Sequence, residues 1–234
     1  MKTRVYNLII LDESGSMKAI RQGAVACFND LIGTIRKEAV GNPLLEQYLI
    51  LFTFNSDGIR EQIPLVRMGD DATRLDRHDY RPQSLTPLYD AVGKATGRLR
   101  VLLDEKDDYA VLVTILTDGA ENSSNIYNGE TIASIIRQLS MRDWVFTYIG
   151  TNHDVQAEAS RIGIRNARTF HYRDEGIVDF MRGESESRRA FYRSLADDGF
   201  GGRRDRYFDD MENIPSVIPV EEGSEKVQTT LKTT

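Results

Sequence analysis

Seven consecutive residues near the start, Val5-Tyr6-Asn7-Leu8-Ile9-Ile10-Leu11, are almost wholly apolar and rich in branched side chains, and Asp12-Glu13-Ser14-Gly15-Ser16-Met17 follows at once. A run without a polar face predicts a strand covered on both sides, as the central strands of parallel sheets are. It stops at an acid, and a helical pattern begins beyond Ser16. One carboxylate and two hydroxyls therefore sit on a short loop between a central strand and a helix. In open α/β sheets ligands gather at the carboxyl ends of strands, and oxygen donors of this kind suit a hard cation such as magnesium. Taken alone, the same residues also read as a plain helix start, with Ser16 as N-cap and Asp12 orienting the loop.

The rest of the chain alternates strand and helix. Residues 17–39 carry a stripe of small and apolar residues at helical spacing (Ala24, Cys27, Phe28, Leu31, Ile32, Ile35), which Gly41-Asn42-Pro43 ends. Gln47–Phe54 predicts a second strand, Asn55-Ser56-Asp57-Gly58 a turn, and Ile59–Val66 an antiparallel edge strand, since Pro64 cannot donate to a ladder. Residues 67–84 read as a polar surface loop leading to Thr86-Pro87-Leu88-Tyr89-Asp90-Ala91, where Thr86 suits an N-cap and Pro87 the first position of a helix running to about Leu103. Tyr109–Thr117 predicts a buried strand ending at Asp118-Gly119, 129–141 an amphipathic helix, and Trp144–Ile149 a further strand. Thr151 and Asp154 have capping-box spacing before a short helix to Ile162. Arg168–Tyr172 predicts a last short strand and 174–196 a helix whose polar middle, 182–187, is a candidate break. Asp90 reads as a first-turn acid complementing its helix dipole, and Glu13 as a solvent-facing rim residue.

Composition narrows the functional classes. Hydrophobic residues make up 40% and charged residues 28% of the 234, as in ordinary globular domains. A formal net charge of −6 argues against a general affinity for nucleic acid. The clusters Arg188-Arg189 and Arg203–Arg206 lie among acids and read as solvated faces. One cysteine, Cys27, leaves no intrachain disulfide and no Cys-rich zinc site, and its apolar neighbours predict a buried inert thiol. His78, His153 and His171 lack metal-ligand spacing. No leader pattern and no membrane-length apolar run is visible, so a cytoplasmic protein without membrane contact is the expectation.

Two buried strands thus end in Asp12 and Asp118, and a third segment delivers Thr86. Strand–helix alternation puts all three loops on one rim of the sheet. Asp12, Ser14, Ser16, Thr86 and Asp118 together supply two carboxylates and three hydroxyls, enough for an octahedral cation with water filling the remaining positions. Two carboxylates balance a divalent charge, so the cation stays electrophilic toward one more carboxylate.

The motifs Asp12-Glu13-Ser14-Gly15-Ser16-Met17, Thr86-Pro87-Leu88-Tyr89-Asp90-Ala91 and Thr117-Asp118-Gly119, with Glu121-Asn122-Ser123 after the last, resemble those of von Willebrand factor type A domains, over residues 1 to about 172. The sequence is most similar to stand-alone cytoplasmic bacterial members. The resemblance implies an α/β, three-layer, doubly wound Rossmann-like fold, with a mostly parallel sheet of about six strands and one antiparallel edge strand. It implies a metal-ion-dependent adhesion site in which Ser14, Ser16 and Thr86 ligate Mg2+ or Mn2+ directly, while Asp12 and Asp118 act directly or through water. It also implies a protein partner whose Asp or Glu completes the metal shell. Family members often have Gly before the threonine, where this chain has Ser84-Leu85; Leu85 stiffens the loop or adds an apolar contact at the rim.

Two other functions compete. A magnesium-dependent phosphohydrolase with Asp12 as nucleophile calls for a second carboxylate beside it and a lysine near the metal; position 14 is Ser and no lysine adjoins Asp118. Self-association is the other. Residues 1–198 form the expected domain, and 199–234 read as a mostly disordered tail with Asp209, Asp210, Glu212, Glu221 and Glu222, one of which could enter the metal site of its own or a neighbouring chain.

Overall fold

The computed structural model describes residues 2–69, 74–103, 109–151, 154–170, 174–197 and 206–209. Among them, six strands form one sheet: β1 (Thr3–Asp12), β2 (Leu45–Asn55), β3 (Gly58–Arg67), β4 (Tyr109–Thr117), β5 (Trp144–Gly150) and β6 (Asn166–Thr169). Their order is β3-β2-β1-β4-β5-β6, parallel throughout except for β2 with β3. One face carries α1 (Arg21–Gly41) and α5 (Asp174–Asp197); the other carries α2 (Leu88–Leu102), α3 (Gly129–Ser140) and α4 (Val155–Arg161). The three-layer, doubly wound architecture with one antiparallel edge strand agrees with the sequence reading. Among the described residues, no helix is long and apolar enough to cross a membrane.

Strand periodicity explains the layers. On β1, Val5, Ile9 and Leu11 enter the core under α1 and α5, while Tyr6, Leu8 and Ile10 enter the core under α2, α3 and α4. Both faces are covered, so the run has no polar side. Pro64 stands exposed on β3, and pairing with β2 shifts register between Leu49 and Phe52 around it, as an edge strand tolerates. Chain winding reverses between β1 and β4, which puts the carboxyl ends of those two strands at the switch point.

Several sequence expectations change. Helix α5 runs unbroken through 182–187, because Glu184 and Ser187 of its polar middle turn inward while Arg182 stays exposed. Glu184, Ser187 and Arg188 are buried there, so Arg188 is no solvated arginine. Its guanidinium donates to Glu184 Oε1 (2.8 Å), Asn7 Oδ1 (3.1 Å) and Thr114 Oγ1 (2.9 Å). Tyr192 adds its hydroxyl to Asn7 Oδ1 at 2.6 Å, and Asn7 in turn donates to Gln47 Oε1 at 3.0 Å. The strand positions beneath, Gln47, Asn7 and Thr114, form a polar stripe across β2, β1 and β4 that α5 is shaped to cover.

Residues 206–209, in the stretch read as tail, also fold against the domain. Tyr207 and Phe208 are buried, the Tyr207 hydroxyl donates to Glu184 Oε1 (2.7 Å), and its amide donates to Asn166 Oδ1 on β6 (3.1 Å). Residues 199–205 and 210–234, with four of the five tail acids, lie outside the described residues, as do His153, His171 and the turn at 104–108. Strand β6 begins two residues earlier than expected. Gly163, at φ +79°, closes α4 with Gly163 N–H to Ser160 C=O and Ile164 N–H to Ala159 C=O, and this tight cap turns the chain at once into the strand. The N-cap of α4 is Asp154, whose carboxylate accepts from the Ala157 amide, and not Thr151. Cys27 is buried, and burial pushes its thiol up to about 12, in keeping with an inert thiol.

Candidate metal centre

The five candidate residues meet at the switch point. Strand β1 ends at Asp12, and a short 3-10 helix, Gly15–Ile20, precedes α1. The Ser14 amide donates to Asp12 Oδ1 (2.7 Å), and the Thr117 hydroxyl, at the end of β4, donates to Asp12 Oδ2 (2.6 Å). The Ser14 and Ser16 hydroxyls lie 3.1 Å apart, and Ser16 Oγ donates to Asp118 Oδ1 at 2.6 Å. A Cβ on Gly119 would stand 3.6 Å from Thr86 Oγ1 and 3.8 Å from Ser16 Oγ. The missing side chain thus leaves a space that both hydroxyls face. Gly15 serves a different need: its amide donates to the Ser84 carbonyl at 2.9 Å, and a Cβ there would press on that oxygen at 3.3 Å.

Neither capping expectation holds. Ser14, and not Ser16, occupies the cap position before the first turn, with no side-chain bond to it; Ser16 spends its hydroxyl on Asp118. Thr86 precedes Pro87, which takes the cap position of α2, again without a side-chain bond. Both hydroxyls turn away from helix amides and toward the site.

Other residues hold the three loops together. Glu13 is buried, contrary to its reading as a solvent-facing acid. It accepts from the Arg60 guanidinium of β3 and from the Arg81 amide, so it ties the edge hairpin to the loop before α2. That loop is no free surface loop either: Leu75 and Tyr80 are buried, Leu75 exchanges two hydrogen bonds with the Asn29 side chain, and the Tyr80 hydroxyl donates to the Asp12 carbonyl. Asp90, read as a dipole complement, accepts the amides of Asn125, Ile126 and Tyr127. Glu121 accepts those of Tyr89, Ser123 and Ser124. A carboxylate followed by a polar Asn-Ser-Ser-Asn stretch is a loop-capping signal that sequence reading could have used.

The donor set fits a hard divalent cation. It offers carboxylates and hydroxyls, and among the described residues no three His, Cys, Asp or Glu side chains converge to form a softer site. Burial lifts the Asp12 carboxyl from 3.8 to about 6; the Thr117 and Ser14 hydrogen bonds oppose this and the Asp118 charge adds to it. The sign for stability follows. The folded chain holds this proton more tightly than the unfolded chain, so ionised Asp12 costs stability in full above about pH 6, and the cost vanishes below 3.8. In chelator, the unfolding free energy of wild type relative to Asp12→Asn should therefore rise by about 2 kcal/mol from pH 7 to pH 4. Urea titrations of both proteins across that range check it, and parallel pH profiles would contradict it.

No family model matches the sequence, and no curated relative does. Solved structures do match. A von Willebrand factor type A protein from Catenulispora acidiphila aligns over 79% of this chain and 42% of its own, with 17% identity and a TM-score of 0.55. The pilus adhesin SpaC from Lactobacillus rhamnosus GG aligns over 80% of this chain and 30% of its own, at 12% identity and a TM-score of 0.55. Proximal thread matrix protein 1 from the mussel byssus aligns over 77% of this chain and 45% of its own, at 16% identity and 0.51. This chain spans less than half the length of each of these three. With the topology and switch point above, the likeness shows that the chain has the von Willebrand factor type A fold.

Proposed function

We propose that this domain is a divalent-cation-dependent protein-binding module. Asp12, Ser14, Ser16, Thr86 and Asp118 hold Mg2+ or Mn2+, and an Asp or Glu of the partner completes the shell. The observation that carries this reading is the unbroken run Asp12–Ser14–Ser16–Asp118, with Thr86 facing the same gap beside Gly119. When bound, the cation supplies a Lewis-acidic point that attracts a carboxylate oxygen. The protein's own residues hold the oxygens in place and leave the Ser16 side of the site open to solvent.

Binding is favoured over phosphoryl transfer by the state of Asp12. Its side chain is buried and both oxygens accept hydrogen bonds, so it is poorly placed to attack a substrate. The self-association reading retains the acids beyond Asp209. Because Tyr207 and Phe208 belong to the core, a tail deletion that tests it should start at residue 210.

The reading is tested by metal-dependent stabilisation. At a concentration 100 times its dissociation constant, Mg2+ or Mn2+ should add about 2.7 kcal/mol, or about 5–10 °C in Tm for a domain of this size. Chelator should reverse the shift. A Tm insensitive to both metals, with no heat in calorimetry, would sink the proposal. Partner capture from native extract with and without chelator then tests whether binding follows the metal.

A further inference from the structure

Thr86 is supported differently from the other four site residues. Asp12, Ser14 and Ser16 share one loop, and Asp118 follows β4 directly, so strand geometry places them. Thr86 arrives at the end of the long segment between β3 and α2, and its side chain does not cap the helix that follows. Its backbone is gripped by Asn122 from both sides. The Thr86 amide donates to Asn122 Oδ1 at 2.8 Å, and the Asn122 amide donates to the Thr86 carbonyl at 3.1 Å.

Asn122 is itself held in a frame. Glu121 before it binds the Tyr89 amide at the start of α2 and the Ser123 and Ser124 amides after it. Asp90 on α2 binds the next three amides of the same loop. These carboxylate contacts fasten the β4–α3 loop to the first turn of α2, and Asn122 is where that loop reaches Thr86. Asn122 is exposed, so replacing it empties no core.

We propose that Asn122 is a positioning residue that sets the cation affinity of the site by holding the Thr86 hydroxyl beside Gly119 and Ser16. The inference rests on the cation reading above. A hydroxyl is a neutral ligand, and its contribution depends on being held where the cation sits. Without the Asn122 side chain the Thr86 amide loses its acceptor and only the main-chain bond to the Thr86 carbonyl remains, so the segment must be ordered further at each binding event.

Mn2+ titration of the full chain, followed by electron paramagnetic resonance and calorimetry, tests it. Asn122→Ala should weaken Mn2+ binding by about 10-fold or more while Tm in chelator hardly changes. Asn122→Asp keeps the acceptor for the Thr86 amide and should bind within about threefold of wild type, or tighter. In a Thr86→Ala background, Asn122→Ala should change affinity by less than about twofold, because Asn122 acts through Thr86. Equal affinity of wild type and Asn122→Ala overturns the inference. So does an equal loss from Asn122→Ala in the wild-type and Thr86→Ala backgrounds. If Asn122→Ala does not fold, Asn122→Ser, whose hydroxyl falls one bond short, takes its place in the same comparisons. If Asp118→Ala also leaves Mn2+ binding intact, the cation reading itself falls, which separates its failure from that of the Asn122 assignment.

Discussion

Arg188→Ala should destabilise the domain by about 3–5 kcal/mol, the range for removing one partner of a buried ion pair. Burial works against the guanidinium, yet the Glu184 carboxylate beside it, together with Tyr207 and Tyr192, holds its pKa above the ordinary arginine value. Without it, Glu184 stays buried with the Tyr207 hydroxyl as a donor, while Asn7 and Thr114 lose donors to their oxygens. The energy lies chiefly in the stranded charge. Arg188→Met combined with Glu184→Gln should therefore recover part of the loss but not all of it, because Asn7 and Thr114 still lose the donors that Arg188 gave them. Urea denaturation of the single and double variants checks both statements. A loss below about 1 kcal/mol for Arg188→Ala would mean that apolar packing alone seats α5.

Asp118→Ala should lower Mg2+ or Mn2+ affinity by about 100-fold or more, beyond the usual cost of removing a supporting residue. The replacement removes a carboxylate from the site and the acceptor for the Ser16 hydroxyl. The fold should survive. Asp118 follows the last residue of β4, and its charge is one of the causes that lift Asp12, so in chelator the variant should be at least as stable as wild type. Calorimetry for the metal and thermal unfolding in chelator separate the two effects. Undiminished metal affinity would contradict the five-residue site.

Much of this was legible in the chain because it depends on local pattern. Val5–Leu11, Gln47–Phe54 and Tyr109–Thr117 read as buried strands because both faces of a central strand are covered, and Pro64 marked the edge. The convergence of Asp12, Ser14, Ser16, Thr86 and Asp118 was legible because winding rules place strand ends on one rim. What escaped depends on partners remote in sequence. Glu13 reads as a surface acid until Arg60 and the Arg81 amide close on it, and Arg188 reads as a solvated arginine until it meets Asn7, 181 residues away. Asn122 looks like one loop polar residue among several until Thr86 is seen against it. Ser16 and Thr86 look like helix caps because capping and ligation call for the same side chains at the same strand-to-helix junction.

The sequence by itself determined the layer architecture and the antiparallel edge, and it named the five oxygen-bearing residues of the candidate site, since each follows from periodicity or from the position of a polar residue at a strand end. Only the tertiary structure decided which hydroxyls face the site instead of capping helices, which acids are buried, and that Tyr207 and Phe208 belong to the core. Those outcomes turn on which polar groups meet when helices and loops pack on the sheet, and a buried polar group is stable only where such a partner is supplied.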